Sequence, residues 1–458
     1  MDETEKYIRA LLLGQGIESH ERFSALFREF IAQEENTEYV KTIRLLQQEM
    51  TKNWQIRARR EELKTLQVAL PNGNQGKPYA VVFDFDAYGL QDVTTFELSG
   101  FEGTGLSFNP ETKVIEGIPT EKGDIVLNFT FNFETEEPEA EPNHKKITLI
   151  INPDPKLLWK NIPSDPEDIY AKPDAVHETS TMGECNIIVA SCRGRSHANR
   201  AGFRDDDYAY AKLPNGWYTV AISDGAGSAQ YSRKGSAIAC AVVIDALKQT
   251  FQDTTAVDNA VASANKETAL SVASPLLLAA AEKVYNAIDV FATEEGALIN
   301  DFHTTLSFVV FKQFPDGYAF LSFGVGDCPT ALVAKDFSKV TLLNIIDSGD
   351  FGGGTRFITM PEVLKPEVVQ SRFGFEFTTD LPYLVLMTDG IYDPKFEVEA
   401  NLANPEKWQQ LFESLNGKND VGTTVPLDGS ENAAEKLLAW MDFWSPGNHD
   451  DRTLAIVF

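Results

Sequence analysis

The sequence predicts an α+β protein of more than one domain, on three observations. Residues 3–69 lack proline, and Ile8, Leu11, Leu12, Phe23, Leu26, Phe27, Phe30, Ile31, Leu45 and Leu46 recur at helical spacing. At 70–78 the run LPNGNQGKP breaks that spacing with turn formers, and short alternating apolar runs follow, which read as strands. From about residue 183, apolar strands alternate with helix-length stretches in unequal order, the texture of sheets covered by helices.

Taken in order, residues 1–70 form a helical segment of two or three helices. Arg57, Arg59 and Arg60 are followed at once by Glu61 and Glu62, so this run is a solvated helix face rather than a nucleic-acid site. Residues 71–155 form an all-β domain with strands at YAVVFDF, TTFELSG, DIVLNFTFNF and KKITLIIN. Within it, TGLSFNPETKVIEGIPTEKGD reads as strand, turn, strand, turn, with corners at Asn109-Pro110 and Gly117, and ETEEPEAEPN (134–143) is a solvated hairpin loop. Residues 156–180 are proline-rich and read as an extended linker. In 181–458, NIIVASC, WYTVAISD, TTLSFVVFKQ, YAFLSFGVGD, KVTLLNII, LPYLVLMTD and RTLAIVF are strands, and 232–250 and most of 256–297 are helices. The apolar stretch 270–288 suits a core helix covering a sheet.

With 458 residues, the chain exceeds what one hydrophobic core usually organises. The balance of 40 basic against 68 acidic residues gives a net charge of -28, which opposes binding to nucleic acid or to an anionic membrane. No segment has transmembrane length, and the acidic N-terminus fits neither a signal peptide nor an anchor. Cys185, Cys192, Cys240 and Cys328 form no CxxC pair and read as free thiols in apolar surroundings. The expectation is a cytoplasmic protein.

Five acidic segments carry the chemistry. They are Arg204-Asp205-Asp206-Asp207-Tyr208, SDGAGS around Asp224, FGVGDC ending beyond Asp327, MTDGIYD around Asp389, and NHDDRT with Asp450 and Asp451. Each sets an aspartate where an apolar strand meets a loop. Gathered carboxylates suit hard divalent cations such as magnesium or manganese, which take oxygen ligands. A metal hydrolase is the leading reading. Asp84 and Asp86 in VVFDFDAYG imitate the aspartyl nucleophile of haloacid-dehalogenase phosphatases, but turns and strands follow where that chemistry needs a helix.

The order SHxxxxGFRDDD, SDGAGSAQYSRKGSxxAC, FGVGDCP, LVLMTDGIYD and DDRTLAIV resembles the metal-dependent protein phosphatases of type 2C, closest to a bacterial branch, over residues 183–458. The phrase around GLSFNP and IEGIPT resembles the immunoglobulin-like modules of bacterial proteins over about 80–153, which bind or space and do no catalysis. The phosphatase resemblance implies two antiparallel sheets flanked by helices, an α/β/β/α sandwich with the metal cluster at one end. It implies two Mn2+ or Mg2+ ions that activate a water against phosphoserine or phosphothreonine. Carried over by position, Asp224 is the bridging ligand, Gly225 offers its carbonyl, and Asp389 and Asp450 complete one site. For the other site Asp206 is preferred and Asp207 is second if Gly202 sets the register, with Asp205 adjacent. Asp327 marks a third, weaker ion, and Asp451 stands beside the ligands rather than among them. Arg204 is the phosphate contact with Arg200 in reserve, and His197 orients a ligand or the phosphate. Ala226 stands where eukaryotic members carry a histidine that protonates the leaving group, so that proton needs another source. The segment 349–357 is a glycine-rich flap whose Arg356 either meets substrate or lies in a plain surface turn. The implied partners are a phosphorylated protein substrate and a cognate kinase or signalling partner, with the N-terminal region docking or regulating. The rival reading is a catalytically silent binding or sensor protein.

Overall fold

Helical spacing in the proline-free start produces α1 (Glu3–Gly14), α2 (Ser24–Ile31) and α3 (Glu34–Thr65) in the computed structural model, which describes residues 3–18, 21–136, 139–347 and 354–458. The chain divides into two compact units, Met1–Leu158 and Trp159–Phe458.

In the first unit the alternating runs become β1 (Gly73–Asn74), β2 (Tyr79–Val82), β3 (Val93–Ser99), β4 (Leu106–Asn109), β5 (Val114–Gly117), β6 (Gly123–Phe133) and β7 (Asn143–Asn152). Among the described residues they pair as two sheets, in the orders β1-β7-β6-β3 and β2-β5-β4. Phe129, Phe131 and Phe133 of β6 alternate into one core with Phe83, Ile115, Ile147 and Leu149, as period-two strands with one wet face require. Gly117 takes φ 140°, and a Cβ there would lie 2.2 Å from the Gly105 carbonyl oxygen, so this corner admits only glycine. Asp84 uses its carboxylate to cap its own turn, accepting from the Asp86 and Ala87 amides at 3.0 and 3.1 Å.

The second unit contains β8 (Ala175–Met182), β9 (Cys185–Cys192), α4 (Arg195–Ala198), β10 (Asp207–Lys212), β11 (Tyr218–Ser223), α5 (Ser232–Thr250), α6 (Thr255–Ala262) and α7 (Lys266–Glu294). It continues with β12 (Leu306–Phe314), β13 (Gly317–Val325), β14 (Thr330–Val333), β15 (Val340–Leu342), α8 (Pro366–Val369), β16 (Phe373–Thr378) and β17 (Tyr383–Met387). The last elements are α9 (Asp389–Phe396), α10 (Pro405–Leu415), α11 (Ala433–Trp440) and β18 (Arg452–Val457). Among the described residues these strands form two antiparallel sheets, β10-β11-β12-β13-β16 and β15-β14-β17-β18-β9-β8.

Alternation along each strand separates three cores. Ile187 and Val189 of β9, Leu386 of β17 and Ala455 of β18 meet Val220 and Ile222 of β11 and Phe311 of β12 between the sheets. The intervening Ile188, Ala190, Leu454 and Ile456 face the other way, onto Phe396, Trp408, Leu411 and Trp440 of α9, α10 and α11. Ala221, Phe308, Val310 and Leu321 likewise turn outward onto Val243, Leu247, Leu277 and Val284 of α5 and α7. Burial on both faces explains why these strands read as unbroken apolar runs, and each large side chain contributes about 1.5–3 kcal/mol.

Residues 159–180 differ from a free linker. Tyr170 packs edge-on to Tyr231 at 5.3 Å, Asp168 pairs with Arg233 at 2.7 Å, and residues 175–182 form β8 along the edge of the six-stranded sheet. The polar sequence HETST hides this strand, because an edge position needs no apolar run.

Candidate metal centre

Strand register brings the distant acidic segments to one end of both sheets. In the five-stranded sheet, Asp207 opening β10 pairs with Ser223 closing β11, and Leu306 opening β12 pairs with Val325 closing β13. In the six-stranded sheet, Met387 near the close of β17 pairs with Leu454, while Arg452 opening β18 pairs with Cys192 closing β9. Asp205–Asp207, Asp224, Asp327, Asp389 and Asp450–Asp451 therefore all flank the same edge.

Asp224, Gly225, Asp327, Asp389 and Asp450 line one cavity of about 320 Å³ together with Ala226, Gly227, Ser228, Thr305, Gly354, Thr355 and Phe357. Asp224 is fixed through its backbone: its amide donates to Thr305 Oγ1 at 2.8 Å, and its carbonyl accepts from the Thr305 amide and Thr304 Oγ1 at 2.8 Å. Gly225 has no room for a side chain, since a Cβ would lie 2.8 Å from the Asp205 carbonyl oxygen. Asp389 opens α9, where the helix dipole favours a carboxylate. Asp327 accepts from Thr355 Oγ1 at 2.7 Å.

Burial first, then mutual repulsion, raises the Asp224 and Asp389 pKa values well above the ordinary carboxylate range; Asp206, Asp327 and Asp450 act on both. Asp327 and Asp450 are also raised, burial leading in each. Asp389 Oδ1 is buried and has no hydrogen-bond partner among the described residues. Such a cluster without compensating cations is costly, and an orphaned carboxylate oxygen aimed among carboxylates fits a hard divalent ion. Asp224 and Asp327 offer oxygens within 4.8 Å of the Cys328 sulfur, but burial holds that thiol protonated and it bonds Thr305 Oγ1 at 3.2 Å. The donors suited to a hard cation are the oxygens.

The three consecutive aspartates separate by partner. Asp205 faces His197 Nε2 at 3.6 Å, and its amide donates to Asp451 Oδ2. Asp451 Oδ1 lies 3.0 Å from His197 Nδ1 and accepts from the Gly194 amide at 2.6 Å. His197, Asp205 and Asp451 thus form a second group of close ligand atoms. Asp206 is buried beneath the cavity, where Oδ2 accepts from Thr388 Oγ1 at 2.8 Å and Thr453 Oγ1 at 2.7 Å. Burial and then Asp451 push its pKa up to about 8.

Four expected site residues do not line the cavity: Asp206, the preferred ligand, and His197, both placed above, and Asp207 and Arg204. Asp207 pairs with Lys172 Nζ at 3.0 Å, so its charge is met by an ammonium rather than offered to a cation. Arg204 is 2% exposed, and its guanidinium donates to Ser191 Oγ and to the Asp206 and Pro173 carbonyls. That geometry corrects its reading as a phosphate contact, since it holds the backbone of the acidic segment. Arg200 is exposed and bonds the Ser196 carbonyl at 3.3 Å. Asp393, the second acid of TDGIYD, was missed; burial and then Asp327 raise its pKa. Its position one helical turn after Asp389 was the available signal.

Residues 349–353 of the expected flap lie outside the described residues, and 354–359 are held at the cavity. The Ile358 amide donates to the Thr304 carbonyl at 3.0 Å, His303 Nδ1 lies 2.6 Å from Thr359 Oγ1, and the Phe357 ring stacks on His303 at 4.9 Å. Arg356 is exposed between Thr355 and Phe357, which both line the cavity. A larger cavity of about 710 Å³, lined by Lys335, Asp336, Glu376 and Asp380, lies at the opposite end of the six-stranded sheet, where Val333 pairs with Tyr383.

The protein phosphatase 2C family profile matches residues 193–440, more than half of the chain, and the chain belongs to that family. No curated protein matches it. Among solved structures, the chain is similar to the serine/threonine phosphatase Stp1 from Staphylococcus aureus at 13% identity, covering 61% of this chain and 96% of that one with a TM-score of 0.38. It is similar to the catalytic domain of the serine threonine protein phosphatase PstP in complex with 2 manganese ions at 17% identity, covering 60% and 97% with a TM-score of 0.37. A C. elegans sex determining protein is similar at 14% identity, covering 61% and 66% with a TM-score of 0.39.

Proposed function

We propose that this protein is a phosphoserine/phosphothreonine protein phosphatase that depends on Mn2+ or Mg2+. The observation that carries the reading is the convergence of Asp224, Asp327, Asp389 and Asp450 on one cavity in which Asp389 Oδ1 is buried without a partner among the described residues. These carboxylates and the Gly225 carbonyl would hold two cations, with Asp327 toward a third, weaker one. A divalent cation there supplies Lewis acidity, acidifying water and neutralising phosphate oxygens. Asp206 buttresses the group from below through Thr388 and Thr453. Asp451 and Asp205 hold the His197 imidazole, whose pKa burial would lower but Asp451 and Asp205 raise to about 9, keeping a positive charge beside the acidic edge. With Arg204 buried, Arg356 is the guanidinium best situated to meet the substrate phosphate.

In this reading the layered second unit is the type 2C sandwich and residues 71–155 are an immunoglobulin-like module. Together with helical segment 1–70, that module docks or regulates. The catalytic domain starts upstream of residue 181, because β8 and the strap at 164–174 belong to it. Four free cysteines fit a reducing, cytoplasmic setting. The substrate is a phosphorylated protein, with a kinase or signalling assembly as partner.

A silent sensor is the second reading, favoured by one observation: among the described residues, those lining the cavity include no histidine, lysine or arginine. Hydrolysis of a phosphothreonine peptide with and without manganese separates the two. The phosphatase reading expects turnover that requires the metal and is lost in Asp224→Ala and Asp389→Ala. Pure, metal-loaded protein that binds the peptide and leaves it intact would establish the sensor.

A further inference from the structure

Helix α3 carries an apolar stripe that nothing among the described residues covers. Tyr39, Leu46, Met50 and Trp54 are 61%, 60%, 74% and 70% exposed. Their spacing places them on one helix face, and Ile43 falls between the first two. The contact of α3 with α1 and α2 uses a different face, through Val40, and the core the three helices share buries only Ile8, Phe27 and Val40 among the described residues. Helices of this kind depend on a covered face for their stability, and a contiguous exposed apolar surface marks an interaction site.

The charges at the ends of the stripe select what covers it. Glu35 and Arg57 are both exposed, project from the stripe's own face, and lie equally far from Leu46 along the helix, one on each side. Neither makes an ion pair among the described residues. Turning a second α3 end for end about Leu46 sets Glu35 of each copy against Arg57 of the other. It sets Leu46 on its own counterpart and brings Tyr39 beside Trp54. A parallel arrangement would instead align Glu35 with Glu35 and Arg57 with Arg57, which is repulsive. We propose that α3 is the interface of an antiparallel homodimer, closed by a two-fold axis at Leu46. For copies that each carry -28, this locally neutral, self-complementary strip is a place where apolar contact can outweigh repulsion.

Sedimentation of the full chain tests the idea. The expected result is a reversible dimer of twice 50.8 kDa, and Leu46→Glu combined with Met50→Glu should weaken association at least about a hundredfold while leaving the helical circular dichroism unchanged. Arg57→Glu should weaken it about tenfold and Glu35→Arg in the same chain should restore it, which only the antiparallel register permits. A chain that stays monomeric at every concentration overturns the proposal, including one in which the rest of the molecule shields the stripe from hydrogen exchange. So does a dimer indifferent to Leu46→Glu with Met50→Glu, or a charge swap that fails to rescue.

Discussion

Asp389 is held under two opposed demands. Its place at the start of α9 favours a negative charge, but Oδ1 is buried without a donor among the described residues, and Asp450 and Asp327 repel it. In the metal-free protein, removing that charge relieves the repulsion. Asp389→Asn is expected to raise stability in EDTA by about 1–2 kcal/mol, read from urea midpoints, while cutting manganese-dependent turnover at least about a hundredfold. A variant that keeps its activity would exclude Asp389 from the centre. Asp206 and His197 set the sign of the pH response without metal. Asp206 is raised to about 8, burial leading, and His197 to about 9, where Asp451 and Asp205 outweigh burial. Both groups bind protons more tightly folded than unfolded, so their stabilisation is complete below the unfolded values of about 4 and 6.5 and is lost as pH rises through the folded ones. The melting temperature in EDTA should therefore fall between about pH 5 and about pH 9, and saturating manganese should counter most of the carboxylate part of that fall. A metal-free melting temperature that climbs across the interval would contradict the buried acidic cluster.

Two short elements decide more than their sequences announce. Segment 354–359 is pinned by Thr355 to Asp327 and by Ile358 and Thr359 to residues 303–304, which fixes the backbone that carries Arg356. If Arg356 meets the substrate phosphate, Arg356→Ala should raise KM for a phosphopeptide about tenfold with a smaller change in kcat, and Arg356→Lys should recover only part because it lacks the planar fork. An unchanged KM would return the segment to a plain surface turn. The strap at 164–174 carries Tyr170 against Tyr231, Phe291 and Phe302, so Tyr170→Ala should cost about 2 kcal/mol in urea unfolding. These elements also mark where sequence reasoning stops. Strands β9, β11, β12 and β18 were legible because burial on both faces writes an unbroken apolar run, and the acids at their ends were legible as strand-to-loop aspartates. Strand β8 was not, because HETST sits at a sheet edge, and β16 was not, because Gly374 interrupts it. The roles of Asp205, Asp206 and Asp207 could not be told apart from three identical letters. The deciding partners are Lys172, from a stretch that read as linker, and the distant Thr388, at the start of α9, and Thr453 of β18. Nor does a sequence show that Arg204 is buried.

At the scale of the molecule, both sheets, the helices on their outer faces and every carboxylate of the cavity lie within Trp159–Phe458. A unit with its own cores should fold without the rest of the chain. Residues 159–458 expressed alone are expected to hydrolyse p-nitrophenyl phosphate with manganese within about twofold of the full chain, because nothing in the catalytic reading draws on the first unit. Where the cut falls matters. Starting at residue 181 removes nearly all of β8, the Tyr170 contacts and Lys172, whose ammonium pairs with Asp207 and bonds the Asp206 carbonyl at 2.7 Å. It exposes β9 as a new sheet edge and leaves Asp207 without that partner, so the shorter chain should melt at least about 10 °C lower or aggregate, and bind manganese more weakly. Equal melting temperatures for the two truncations would mean that the strap contributes nothing and that the catalytic domain begins where its apolar strands do.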